Sequence, residues 1–263
     1  MGAYKDRKIA VKNLKKLVED PSKVFCVHYS HSQTYDDDYG NISPIITVIV
    51  VKSLDNKIDK QFAIHYEADK AGITKDQIQD SYRELELRIL KAFNEFVRRH
   101  IDDCLWVHWD MKNIHFGFEA IKHRYEKVFD DLDHYCEIPA QNKQNLKLVL
   151  EGMYGEKFAN KPDQLKSLIV ANNSNIHEPR YLSSSAESSQ FENKNFKGVI
   201  DSVDCKVDFI KRALSKLINR KLVVQNKNRY AIFLDVITHP VFLFIGWIAT
   251  IVGLILTTHS LLN

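Results

Sequence analysis

The sequence predicts an α/β fold: a mixed sheet laid down in the order β-β-β-α-β-α, flanking helices, and one C-terminal transmembrane helix. Three observations predict it. Runs of strand character at 24–29 (VFCVHY), 45–51 (IITVIVV) and 60–66 (KQFAIHY) follow one another across turn-rich connections, the pattern of an antiparallel meander. From residue 80 onward helical and strand periodicities alternate, which places helices against a mixed sheet. Residues 236–263 contain no Asp, Glu, Lys or Arg, and about 20 apolar residues are enough for a helix to cross the hydrocarbon core of a bilayer.

Taken in order, residues 1–22 carry Ile9, Val11, Leu14, Leu17 and Val18 at helical spacing and end at Pro21, a short amphipathic helix with a stop. The α/β domain then spans 23–171. Its second strand is β-branched throughout and suits burial on both faces. HSQTYDDDYGNISP and SLDNKID separate the strands as polar, turn-forming loops. Leu85, Ile89, Phe93, Phe96 and Val97 line one face of a helix over 80–100. A fourth strand follows at 104–109. A helix beginning near Asn113 carries Phe116, Phe118, Ala120, Ile121 and Tyr125. Residues 145–154 read as a helix stopped by Gly155, and 164–171 as another. The serine-rich stretch 172–198 reads as a mobile loop or linker.

Residues 199–235 form a basic helical segment, and 236–263 the anchor. Between 206 and 229 eight Lys and Arg residues face a single acid, Asp208. Such an excess marks a cytoplasmic flank. The expected location is therefore the inner membrane, with the N-terminal domain in the cytoplasm and lipid as a partner of 236–263. Lys211, Arg212, Lys216, Arg220 and Lys221 oppose an apolar stripe of Phe209, Ile210, Ala213, Leu214 and Leu217. That helix either lies on anionic lipid or belongs to the domain with a solvated face.

Composition is that of a globular protein. Across 263 residues, 44% are hydrophobic and 27% charged, and the net charge of +3 is too small to argue for nucleic acid. The four cysteines form no CxxC pair, which speaks against zinc and disulfides. The N-terminus lacks the apolar run of a secretory signal, and Asp6 stands where myristoylation requires Ser or Thr. No phosphate-binding loop, nucleophile elbow or HExxH motif occurs.

The element order over 23–170 resembles the ribonuclease H-like fold. HWDMKN, His108 to Asn113, resembles the second motif of the DEDD-type 3′–5′ exonucleases, a strand ending in H-N-A-x-F-D before a helix. The first motif, D-x-E on the first strand, corresponds here to His28, Tyr29 and Ser30. Residues 146–169 are similar in rhythm to the family's helix and leucine-containing stretch, and 193–208 is the nearest positional match to its last motif. The resemblance implies two metals held by four carboxylates. This chain departs from that set at His28, Ser30 and Asn113, and neutral side chains do not hold a magnesium pair. The resemblance therefore implies the fold with the metal chemistry lost. The strand ending in HW and the following GF-x-A-I-x-H-R-Y are also similar to uncharacterised bacterial membrane-anchored proteins.

Two readings of the strand end compete. As a site, His28, His108, Asp110, Asn113 and His115 form a metal or acid–base centre at the strand carboxyl ends, with His31 nearby. As a packed corner, His108 bonds backbone, Asp110 caps a helix, and Trp106 and Trp109 pack on opposite faces. The Asp36–Asp37–Asp38 run lacks EF-hand spacing and reads as a solvated loop. Arg98, Arg99, His123 and Arg124 are the candidate nucleic-acid contacts. The expected function is recognition of nucleic acid, a nucleotide or a protein partner by a catalytically degenerate nuclease-like domain at the membrane, with anti-phage defence as one specific version. The alternatives are a divergent metal-dependent nuclease or phosphodiesterase, the one version that takes a divalent metal, and a membrane-tethered scaffold.

Overall fold

In the computed structural model, which describes residues 11–12, 14–16, 18–35, 44–111, 116–129, 134–172, 179–225 and 240–262, the β-branched run lies in β2 (Pro44–Ser53), every residue of which is buried. It pairs antiparallel with β1 (Val24–Tyr35) and β3 (Asp59–Ala63). β1 pairs parallel with β4 (Leu105–His108), which pairs parallel with β5 (Lys143–Asn145). The five-stranded sheet has the order β3-β2-β1-β4-β5, so β1 is central.

Register sorts the side chains of β1 and β4. Phe25 stands opposite Trp106 and Val27 opposite His108, and alternation puts these four on one face. Helices α1 (Ile64–Ala71), α2 (Tyr82–Arg99) and α3 (Phe118–Phe129) belong to that side. Phe25 meets Phe96 at 5.6 Å and Trp106 at 5.1 Å between ring centroids, and Phe62 meets Phe93 at 5.7 Å. Each fully buried ring contributes roughly 1.5–3 kcal/mol. Glu86 ties three elements together: its Oε1 accepts from the Ile46 N–H and from Arg124 Nε, both at 2.8 Å.

The other face carries Cys26, His28 and Val107. It is covered by α7 (Phe196–Ile218), whose buried stripe includes Val199, Val203, Lys206, Ile210, Ala213, Leu214 and Leu217. Lys52 on β2 donates to Asp208 at 2.9 Å and pairs with Asp204 at 2.6 Å on α7. Burial opposes its charge, but these two carboxylates outweigh that and hold the ammonium above its ordinary range. Of the two placements open for the apolar stripe, on lipid or within the domain, the structure gives the second, with the sheet against it. Lys211 bonds Asn56 at 2.6 Å and Lys216 bonds the Asn172 carbonyl at 2.9 Å. Arg212, Arg220 and Lys221 are exposed.

Between β5 and α7 lie α4 (Leu146–Tyr154), α5 (Gln164–Asn172) and α6 (Ser184–Glu192). The last forms inside the stretch read as a linker and packs against β1. Ser183 caps it by accepting from the Ala186 N–H, and Phe191 anchors it. The expected strand at 60–66 stops at Ala63, where Ile64 turns into the core and begins α1. That helix ends at Gly72, whose left-handed φ of 70° lets its N–H reach back to Ala68 and Asp69. The helix expected from Asn113 is described from Phe118 onward. Asn113 itself, His115, the 36–38 acidic run and all of 1–10 lie outside the described residues.

The expected transmembrane helix is corrected. Pro240–Leu262 forms a helix, α8, but among the described residues no helix is long and apolar enough to cross a membrane. Gly246, Thr250, Gly253, Thr257 and Thr258 interrupt its apolar run. The hydroxyls of Thr250, Thr257 and Thr258 fold back to carbonyls four residues earlier, at 2.8–2.9 Å.

Candidate functional site: a crevice at the strand ends

β4 ends at His108, opposite Val27 of β1, and where this parallel pairing stops lies a crevice of about 450 Å³. Open α/β sheets place ligands outside strand carboxyl ends. Its walls come from β1 (His28), the turn after β4 (Trp109, Asp110), Phe116, α4 (Lys147), the start of α5 (Asp163, Gln164), the segment before α6 (Tyr181, Ser183) with its first turn (Ser184, Ser185), and α7 (Lys206).

Each wall is held by local chemistry. Asp110 has a φ of 51°, a left-handed conformation that Asp tolerates better than most residues, and this turns the chain sharply after β4. Asn145 latches that turn to α4: its Oδ1 accepts from the Asp110 N–H at 3.4 Å and, as the helix N-cap, from the Leu148 N–H at 3.2 Å. Lys147 pairs with Asp110 at 2.6 Å. Trp109 packs edge-on to Phe158 at 6.1 Å. Phe116 stacks on Tyr29 at 4.6 Å and meets His28 at 5.6 Å. The Tyr181 hydroxyl donates to Asp163 at 2.6 Å.

The electrostatic centre is Lys206. Its side chain is 2% exposed and donates to Glu187 of α6, 1% exposed, at 2.8 Å. The ammonium also lies 5.2 Å from the centroid of the Tyr181 ring, a cation–π arrangement. His28 stands nearby, and its pKa lies well below the ordinary value, first because it is buried and then because Lys206, His108 and His31 oppose a second positive charge. It is neutral at physiological pH, and its Nδ1 has no hydrogen-bond partner among the described residues.

Of the five strand-end candidates, the structure brings His28 and Asp110 to the crevice. His108 faces the opposite side of the sheet, edge-on to Phe118 at 5.3 Å, and its Nδ1 accepts the Met111 N–H at 3.1 Å. Its pKa is pushed down to about 4 by burial first and Lys143 second, with Asp110 opposing. That is the chemistry of a packed corner. Trp106 and Trp109 do pack in different places, the first on Phe25 and Phe93 and the second on Phe158. His31 bonds the Ser32 carbonyl through Nδ1 at 2.9 Å.

No protein-family model, curated protein or solved structure matches this chain.

A divalent metal pair does not fit here. Among the described residues no group of three or more His, Cys, Asp or Glu side chains is placed to hold a metal ion. Asp110 is engaged by Lys147 and Asp163 by Tyr181. The buried carboxylate nearby, Glu187, is taken by the Lys206 ammonium.

Of the candidate nucleic-acid residues, Arg98 and Arg99 are exposed and Arg124 is buried. Arg124 is 1% exposed and buried in its ion pair with Glu86. Arg98 donates to the His134 carbonyl at 2.7 Å and Arg99 pairs with Glu95 at 3.8 Å. These residues and His123 belong to α2 and α3, across the sheet from α7. Sequence reasoning missed Lys206, Glu187, Tyr181 and the serines of α6. Two signals pointed to them. Lys206 occupies the apolar stripe of its helix, between Val203 and Ile210, and Ser184-x-x-Glu187 has the spacing of a helix start.

Proposed function

We propose that this chain is a recognition module that binds a nucleotide, free or as the end of a single strand, in the strand-end crevice, without metal-dependent catalysis. The observation that carries this reading is the buried Lys206 ammonium beside neutral His28, where the parallel pairing of β1 and β4 stops. A volume of about 450 Å³ falls in the range of small-molecule sites, roughly 300–1,000 Å³. Trp109, Phe116 and Tyr181 supply ring faces, and base stacking on aromatic side chains tolerates any base. Polar groups between those rings supply orientation. The likeness to DEDD-type exonucleases then concerns fold alone, with the metal centre replaced by a cation of the protein itself.

The test incubates the full chain with end-labelled single-stranded DNA and RNA, and with mononucleotides, in chelator and in Mn²⁺ or Mg²⁺. The expected result is saturable binding in chelator and intact strands in metal. Metal-dependent cleavage that disappears in Asp110→Asn would replace this reading with that of a divergent phosphodiesterase. Absence of binding to every nucleotide and strand would replace it with that of a scaffold.

A further inference from the structure

Resting on the nucleotide reading, we infer that the crevice contains a phosphate subsite formed by Lys206, His28 and the first turn of α6. An ammonium has three N–H donors. Among the described residues Lys206 uses one, on Glu187, which leaves two beside a cavity that the side chain itself lines. At 2% exposure those donors are cut off from bulk water, so an anion entering the crevice meets a desolvated charge-assisted donor. His28 is 4% exposed and lines the same cavity with Nδ1 unpartnered among the described residues. As a neutral imidazole it can donate from that nitrogen.

The third component is the start of α6. Ser183 is its N-cap, and Ser184 and Ser185 open its first turn. All three line the crevice and are exposed. A helix N-terminus offers backbone N–H groups and a positive dipole end to an anion. Of the crevice carboxylates, Asp110 is paired with Lys147 and Asp163 accepts a hydrogen bond from Tyr181. A dianionic or monoanionic phosphate therefore finds two donor side chains, Lys206 and His28, and a favourable helix dipole lining one crevice.

Removing Lys206 is the obvious test, but it leaves Glu187 buried and unpaired and endangers the fold. Ser185→Asp is the better probe. A carboxylate in the first turn suits the helix dipole, so the fold is retained, while it sets a negative charge where the phosphate would sit. Ser189→Asp, exposed on the same helix and outside the crevice, controls for net charge. Binding of inorganic phosphate, a nucleoside and its 5′-monophosphate to the full chain is measured by titration. The expected result is that phosphate competes with the monophosphate, that the monophosphate binds at least 10-fold tighter than the nucleoside, and that Ser185→Asp removes this difference while Ser189→Asp keeps it. Equal binding of nucleoside and monophosphate would overturn the subsite and leave the nucleotide reading standing. Binding of neither would overturn both.

Discussion

Lys206 and Glu187 form the most consequential pair of single residues in the molecule. Breaking a buried pair by removing one partner costs about 3–5 kcal/mol, whereas replacing both with apolar residues of similar volume is often neutral. Lys206→Met is accordingly expected to lower urea stability by that amount, and Lys206→Met with Glu187→Leu to recover most of it. Equal stability of the single variant and the parent would mean that the pair is not buried as described. The histidines make a second residue-scale prediction. His28 and His108 are held neutral by burial, with His108 at about 4 against an ordinary 6.5. The unfolded chain therefore binds more protons than the folded one below about pH 6.5, so stability is full above that value and falls as pH drops toward 4. One pKa unit corresponds to about 1.4 kcal/mol, so His108 alone accounts for about 3 kcal/mol across that window. Urea midpoints at pH 7 and pH 5 check this, and a flat profile would contradict it. Both histidines were legible in the sequence as strand-end candidates. Their separation onto opposite faces was not, because it depends on Val27 standing opposite His108, and a parallel register is set by packing between distant segments.

Among the elements, the β-branched second strand, the helix carrying Leu85, Ile89 and Phe93, and the strand ending in His108 were all readable from periodicity. They are long or strongly patterned, and the core dictates the pattern. α6 was not readable, because its nine residues are polar and its helicity rests on the Ser183 cap and on Phe191 docking against the rest of the chain. α7 was recognised as an amphipathic helix, but its stripe fits a lipid surface and a sheet equally well. The structure commits that stripe to β1 and β2. Leu214→Ala is therefore expected to cost about 2–5 kcal/mol, while Arg212→Ser, on the exposed side, stays within about 0.5 kcal/mol. Chemical unfolding of both variants checks the placement, and comparable small effects would contradict it.

On the scale of the whole molecule, a mixed five-stranded sheet covered by α2 and α3 on one face and α7 on the other leaves a crevice where the parallel pairing of β1 with β4 stops. That arrangement brings together His28, Trp109, Asp110, Lys147, Asp163, Tyr181 and Lys206 from segments up to 178 positions apart in the chain. Distance in sequence is why the site was only half legible: the strand ends were visible, and the helices that close over them were not. Composition misled in one respect, since an uncharged C-terminal stretch predicted a spanning helix that the described residues do not provide. The measurement that tests the central claim most directly is calorimetric titration of the full chain with a nucleoside monophosphate in excess chelator, alongside His28→Leu. The account predicts saturable one-site binding without any metal and at least 10-fold weaker binding in the variant. Binding that appears only when Mn²⁺ or Mg²⁺ is restored would contradict it.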